Sequence, residues 1–184
     1  MQTRRVGGGL GGLRPAVRMA AALVWLFVIV VARWRPAAPV RVLGSFSAFV
    51  ASVVQSLLGL SGIEASRAGT LLFVPGGFAY RIAIGCTGLL PAAVLTVAIL
   101  ASPGTGSAKR RGVLVGVPLV LAVNLLRMVH LFYLGVHSPR LFVLAHTVLW
   151  EAAIVLVVFA TWLVWVRWAA WAGRQAGAVS AFGR

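Results

Sequence analysis

The sequence predicts an all-α polytopic membrane protein with four to five hydrophobic helices and a short extracytoplasmic β-hairpin. Of its 184 residues, 61% are hydrophobic, and the mean hydropathy is +1.00. Only two residues are acidic against 17 basic ones, and most of the basic residues lie in short segments between apolar runs. This composition excludes a soluble globular protein. Because no basic stripe falls on a soluble domain, we expect the cations to contact membrane lipid and no nucleic acid.

The chain begins with a basic, glycine-rich segment, residues 1–18, which we expect to be a flexible cytoplasmic arm. An uninterrupted apolar run over residues 19–32 predicts the first helix, since with its flanks it approaches the roughly 20 residues that span a membrane. The segment after it, residues 33–36, does not resemble a signal-peptide cleavage site. Residues 19–167 form one predicted transmembrane domain, and residues 168–184 a predicted cytoplasmic tail.

Residues 42–60 are uncharged and predict a second helix with small and polar residues mostly on one side. Such a helix either spans the membrane with its small residues against neighbouring helices or lies along the outer surface. The two alternatives place the N-terminus on different sides of the membrane, and the sequence leaves both open.

A β-hairpin is predicted around the Pro-Gly-Gly turn at residues 75–77. Apolar residues precede the turn, and Phe78, Tyr80, Ile82 and Ile84 alternate with other residues after it. The edges of a hairpin would leave unpaired backbone groups in hydrocarbon, so we expect it at the membrane surface. It leads directly to Cys86 at the start of the next predicted helix, residues 86–101.

The orientation of the chain in the membrane is indicated by three adjacent cations in a short predicted loop, Lys109, Arg110 and Arg111. Such a cluster favours the cytoplasmic side. The helix before this loop then starts on the extracytoplasmic side with Cys86. The next helix, residues 112–136, returns outward, and the last helix, residues 141–166, follows a tight turn.

Three of these predicted helices carry Cys86, Arg127 and His146 toward the same outer face. A thiolate is the reactive form of cysteine, and a nearby cation favours it. A histidine can relay the proton, and a permanently charged arginine can stabilise a thiolate or an oxyanion. Each residue also has a structural interpretation: a packing cysteine, an arginine that snorkels or pairs with Glu151, and a hydrogen-bonded histidine.

Other polar residues offer alternatives within this arrangement. His130 and His137 compete with His146 as the base, and Glu151 is the predicted partner of Arg127 or Arg81. Three histidines, one cysteine and almost no carboxylate do not form a recognisable ligand spacing. The sequence therefore predicts no metal site and no cofactor.

The order of the polar motifs resembles the exosortase/archaeosortase family of membrane cysteine transpeptidases. These motifs are Cys86-Thr87-Gly88 at a helix start, Asn124 with Arg127 in the next helix, and His146 in the last. The stretch 124–150 is most similar to the short bacterial branch called exosortase H. The resemblance extends over roughly residues 60–167.

The resemblance implies a multi-pass protein of the bacterial inner membrane with its active site on the extracytoplasmic side. The implied substrates are secreted proteins with a C-terminal sorting tail, made of a short motif, a transmembrane helix and a basic cluster. The tail would be removed and the protein transferred through a thioester to an unidentified acceptor. Cys86 would be the nucleophile, Arg127 and His146 the other essential residues, with Asn124, Thr87 and Gly88 in support. Many relatives carry serine or asparagine at the position of Thr87.

Two other functions fit the same residues. A small membrane transporter or channel subunit would place Arg127 and Glu151 in a polar path. A non-catalytic membrane assembly factor would need these side chains only for stability.

Overall fold

Helices account for most of the chain that the computed structural model describes, residues 40–182. Side chains are described for residues 43–174. The predicted arm (residues 1–18) and the predicted first helix (residues 19–32) lie outside the described residues. The described elements belong to one compact unit, Ala38–Arg184.

The elements follow one another in a simple order. Helix α1, Val40–Leu60, precedes the strands β1 (Ser66–Ala68), β2 (Leu71–Phe73) and β3 (Ala79–Arg81). A 3₁₀ turn at Ile84–Cys86 leads to α2 (Leu89–Ala101) and then α3 (Gly106–His137). The short helix α4 (Pro139–Leu144), a π-helical turn (Ala145–Leu149) and the long helix α5 (Trp150–Phe182) complete the described chain.

Three helical segments of the described chain are long and apolar enough to cross a membrane: Leu43–Leu60, Gly106–His137 and Pro139–Arg174. Helix α2 is also apolar, but its 13 residues extend only about 20 Å, less than the hydrocarbon thickness of a bilayer. The prediction of an all-α polytopic membrane protein is confirmed, with a small sheet inserted before α2.

The sheet contains the predicted hairpin and one strand more. β2 and β3 pair antiparallel, with Leu72 opposite Tyr80, across the Pro-Gly-Gly turn. β1 pairs antiparallel with the other edge of β2 through a two-residue loop in which Gly69 has a φ of 61°, as such loops require. β1 is short and polar, so it lacks the alternation that predicts a strand.

One hydrophobic core joins the sheet to α1 and α3. Its members are buried side chains from all three: Val50, Ala51, Val54, Leu58, Leu72, Tyr80, Ile82, Met128 and Phe132. Gln55 adds a polar connection, because its Nε2 donates to the carbonyl of Ala65 at 3.0 Å. The sheet is therefore packed onto helices and does not lie free of them.

A second core joins α2, α3 and α5 at their other ends, through Leu95, Ile99, Val120 and Trp165. Trp165 Nε1 donates to the carbonyl of Ala108 at 2.9 Å, and Trp162 Nε1 donates to Ser102 Oγ at 2.9 Å. We call this end, with Lys109, Arg110, Arg111 and Arg167, the basic end. The opposite end, with the sheet and Cys86, is the sheet end.

Two helices extend beyond their predicted ends. Lys109, Arg110 and Arg111 lie in the first turns of α3 and not in a loop, because Thr105 caps this helix and its Oγ1 accepts from the backbone N–H of Ala108 at 3.3 Å. The last helix continues to Phe182, well beyond the predicted residue 166.

Candidate active site

Cys86 was predicted at the first turn of the helix. It lies instead in the 3₁₀ turn between β3 and α2. Its backbone N–H donates to the carbonyl of Ala83 at 2.9 Å. Thr87 Oγ1 donates to the carbonyl of Ile84 at 2.6 Å, and Gly88 then reverses the chain with a φ of 82° before α2 begins at Leu89. The thiol is half-buried, so the turn presents it without enclosing it.

Asn124 attaches this turn to α3. Its side chain is 1% exposed, and Nδ2 donates to the carbonyl of Cys86 at 2.7 Å. A Cβ atom on Gly88 would lie 3.0 Å from the Asn124 amide, so only a residue without a side chain lets the two elements approach this closely. Asn124, Thr87 and Gly88 thus hold the backbone that carries the thiol.

Arg127 lies one helical turn further along α3 and is 5% exposed. Its Nη2 pairs with Glu151 Oε1 of α5 at 2.5 Å. Glu151 remains largely exposed, with 59% of its side chain accessible. The ion pair predicted between Arg127 and Glu151 is present, while Arg81 is exposed on β3.

Helix geometry places this ion pair far from the basic end. Arg111 and Arg127 are 16 residues apart along α3, and Glu151 and Arg167 are 16 residues apart along α5. At 1.5 Å per residue both intervals measure about 24 Å, most of the thickness of a hydrocarbon core. The pair therefore lies toward the sheet end of both helices.

His146 belongs to the π-helical turn Ala145–Leu149 that joins α4 to α5. Such turns are rare and are frequent at functional sites. The half-buried imidazole lies against two aromatic rings, with centroids 5.7 Å from Phe142 and 6.4 Å from Tyr80. Its ring nitrogens make no hydrogen bond within the described part of the chain.

Tyr80 is the residue that connects these groups, and the sequence reasoning missed it. Its side chain is 7% exposed, and its hydroxyl oxygen is buried without a hydrogen-bond partner among the described residues. Burial raises the pKa of Tyr80 well above its usual value, and the neighbouring Cys86 thiol raises it further. The charge of Arg127 lowers the pKa of Tyr80 and that of Glu151 raises it. The phenol therefore lies within the electrostatic influence of all three groups.

Cys86, Arg127 and His146 thus come from three different elements, and each contacts Tyr80, packs against its core or acts on its charge at the sheet end. The thiol packs against the core that contains the phenol, the imidazole meets the phenol ring in a T-shaped contact, and the guanidinium acts on it electrostatically. One signal for Tyr80 was present in the sequence, since period-two alternation puts it on the same face of the hairpin as Phe78 and Ile82.

Comparison with known families gives one match. The family described as transmembrane exosortase (Exosortase_EpsH) matches residues 7–149. The chain belongs to the exosortase family. No curated protein and no solved structure matches it.

Membership of the exosortase family makes this chain a multi-pass membrane protein of exosortase type, and it confirms the resemblance drawn from the motifs around Cys86, Arg127 and His146. These three residues and Tyr80 all lie within the matched segment. Glu151 follows it by two residues, so its pairing with Arg127 is an observation on this chain alone.

The two alternative histidines are engaged elsewhere. His130 Nδ1 accepts a hydrogen bond from Trp150 Nε1 at 2.9 Å. His137 Nδ1 lies 3.0 Å from the carbonyl of Tyr133, and its ring stacks on Tyr133 with centroids 4.2 Å apart. Neither contacts Tyr80 or the Cys86 turn through a described hydrogen bond or ring contact.

A cavity of about 680 Å³ lies between α3 and α5. It is lined by residues from Arg111 to Val123 and from Val157 to Trp168, which places it on the basic side of the Arg127–Glu151 pair. It includes neither Cys86 nor His146. Within the described residues, no three His, Cys, Asp or Glu side chains gather as metal ligands.

Proposed function

We propose that the chain is a membrane cysteine transpeptidase that removes C-terminal sorting tails from secreted proteins and transfers the proteins to an acceptor through a thioester. The observation that carries the proposal is the grouping of Cys86, Arg127 and His146 around Tyr80 in a chain of the exosortase family. A thiol, a fixed cation and an imidazole are the parts that cysteine acyl transfer needs.

The proposal places the sheet end at the extracytoplasmic face of the bacterial inner membrane. The cations at the basic end support this orientation, because cytoplasmic segments carry the excess of arginine and lysine. A secreted protein would then reach Cys86 from the side on which it is exported.

The first half of the proposed reaction forms the thioester. The sulfur of Cys86 attacks the carbonyl carbon of the scissile peptide after its proton has passed to His146. The tetrahedral intermediate carries a negative oxygen, which the positive charge of Arg127 stabilises. His146 then gives the proton to the departing amine as the C–N bond breaks. The sorting tail leaves, and the secreted protein remains bonded to sulfur.

The second half releases the protein. An acceptor amine or a water molecule attacks the thioester carbonyl and passes its proton to His146. The C–S bond breaks, and Cys86 leaves as the thiolate and regains its proton from the imidazolium. The acceptor's chemistry decides whether the outcome is transfer or hydrolysis.

Co-expression with a tail-bearing secreted protein tests the proposal. We expect Cys86→Ala, Arg127→Ala and His146→Ala each to lower tail removal to below about 1% of wild type, as loss of a member of a nucleophilic unit does. His137→Ala is the matched control, since His137 is exposed at the end of α3 and its ring stacks on Tyr133. All variants are compared at equal membrane abundance. Continued tail removal by Cys86→Ala would overturn the transpeptidase assignment.

The Arg127–Glu151 pair also suits the alternative of a transporter or channel subunit with a polar path. That function predicts a silent Cys86→Ala variant and loss of activity in Glu151→Gln. The same set of variants therefore separates the two functions.

A further inference from the structure

The hydroxyl group of Tyr80 is in an unusual state for a buried polar atom. Buried hydroxyls nearly always have a hydrogen-bond partner, yet Tyr80 Oη is buried and no described residue meets it in full hydrogen-bond geometry, although Cys86 lies close enough to act on the phenol as a side-chain hydrogen-bond partner. Such an atom destabilises the resting protein. The neighbouring thiol becomes a good acceptor when it ionises. The buried hydroxyl therefore points to a role with the thiolate.

The group that lies beside it is the thiol of Cys86. Cys86 packs against the hydrophobic core that contains Tyr80, and among the ionisable groups near the phenol it acts on it most strongly. A neutral thiol is a weak acceptor, whereas a thiolate carries a full negative charge and accepts a hydrogen bond well. Formation of the thiolate would therefore give the orphan hydroxyl the acceptor that it lacks.

The ring of Tyr80 is held in place from several sides. It lies 5.8 Å from the ring of Phe142 and 6.4 Å from that of His146, and it stacks at 6.5 Å on Phe78. Leu72 of the neighbouring strand pairs with it across the sheet. Within the described part of the chain, packing therefore positions the phenol.

We propose that Tyr80 is a positioning residue that donates a hydrogen bond from its hydroxyl to the Cys86 thiolate. It stabilises the nucleophile between proton removal and attack. The effect on catalysis rests on the proposed function, in which Cys86 is the nucleophile. The hydrogen bond itself is independent of that function.

The protonation behaviour of the phenol supports this role. Burial, together with the neighbouring Cys86, raises the pKa of Tyr80 far above its usual value, so the hydroxyl keeps its proton and remains a hydrogen-bond donor. The other charged or titratable groups that face the pair are Arg127 on α3, Glu151 on α5 and His146 in the π-helical turn.

The alkylation of Cys86 as a function of pH tests the proposal without any substrate. The chain has one cysteine, so labelling of the full-length protein by iodoacetamide reports this thiol alone. We expect Tyr80→Phe to raise the pH of half-maximal alkylation by about one unit, as loss of a hydrogen bond to a charged group does. The chain has two tyrosines, and the exposed Tyr133 provides the matched control. Tyr133→Phe is expected to leave the profile unchanged.

Stability separates this role from a structural one. Because Tyr80 Oη makes no described hydrogen bond, Tyr80→Phe should unfold at the same temperature as wild type or higher. In the tail-removal assay we expect kcat to fall about tenfold with little change in KM. A Tyr80→Phe profile that superimposes on wild type would overturn the proposal, whatever the outcome with substrate.

A second measurement keeps the proposal testable if Tyr80→Phe does not fold. Incorporation of 3-fluorotyrosine in the Tyr133→Phe background places the modified phenol at position 80 alone. A more acidic phenol is a stronger donor, so the alkylation profile should move to lower pH. An unchanged profile would contradict the hydrogen bond. The two proposals fail separately. Continued tail removal by Cys86→Ala in the co-expression assay would overturn the proposed function, whereas the alkylation profile alone decides whether Tyr80 donates to the thiolate.

Discussion

Among the described residues, Arg127 carries a permanent charge in a buried position. Arg127 is 5% exposed and cannot lose its proton, so it needs a counter-charge when it leaves water. Glu151 supplies that charge from α5. The pair therefore stabilises the association of α3 with α5, and it also keeps a cation close to the Cys86 turn.

We expect Glu151→Gln to lower the free energy of unfolding by about 1–3 kcal/mol, because it leaves Arg127 buried without its partner. The value lies below that of a fully buried pair, since Glu151 is more than half exposed. Unfolding of the detergent-solubilised protein measures it.

The chain offers a matched control, because its other acid, Glu64, is exposed. Glu64→Gln should leave the free energy of unfolding within about 0.5 kcal/mol of wild type. The double variant Arg127→Gln/Glu151→Gln should recover most of the loss, since it removes both charges. Equal losses in both single glutamate variants would contradict a specific ion pair.

At the scale of elements, the contact between the hairpin and α3 positions the site. Phe78, just before β3, lies over Gly135 of α3, and a Cβ atom on Gly135 would come within 2.2 Å of the Phe78 ring. The same ring packs edge-on against Phe132 and Phe142. Because Phe78 stacks on Tyr80, displacement of the hairpin at this point would also move the phenol.

Gly135→Ala therefore tests how the hairpin is attached. We expect it to destabilise the protein by about 1–3 kcal/mol through overpacking and to lower tail removal severalfold. Gly173→Ala is the control, because Gly173 lies in helix α5 with no atom near the added methyl group. That variant should be neutral or more stable by up to about 1 kcal/mol. Thermal unfolding of the two variants gives the comparison, and equal behaviour would exclude close packing at Gly135.

At the scale of the whole molecule, the helices α3 and α5 separate two chemically different ends. The basic end collects Lys109, Arg110, Arg111 and Arg167, while the sheet end collects Cys86, Tyr80 and His146. Tryptophans from α5 donate hydrogen bonds at the basic end, which holds the antiparallel helices in register. If the basic end faces the cytoplasm, the thiol faces the exported substrate.

Thiol labelling tests this orientation. In right-side-out membranes, a membrane-impermeant maleimide should label Cys86 in the wild type, more slowly than a free thiol because the residue is half-buried. The control carries Cys86→Ala together with Ser107→Cys, an exposed position at the basic end. Its label should appear only after the membrane is permeabilised. The reverse pattern would invert the proposed topology.

Much of the fold follows from local pattern. Apolar length predicts the spanning segments, the Pro-Gly-Gly turn with alternating neighbours predicts β2 and β3, and the order of Cys86, Arg127 and His146 points to the family. Strand β1 and the π-helical turn were missed, because neither a three-residue polar strand nor one extra residue in a helical turn produces a periodic signal.

By itself, the sequence determined that the chain is a multi-pass membrane protein of the exosortase family and which few polar residues it carries. Only the tertiary structure decided which of them meet. The rotation of each helix about its axis brings His146 against Tyr80, turns His130 toward Trp150 and pairs Arg127 with Glu151. The docking of the hairpin buries Tyr80 in the core against which Cys86 packs. Hydropathy is a property of each segment alone, whereas a contact depends on the relative placement of two segments. For this reason the contact between Tyr80 and His146 became visible only in three dimensions.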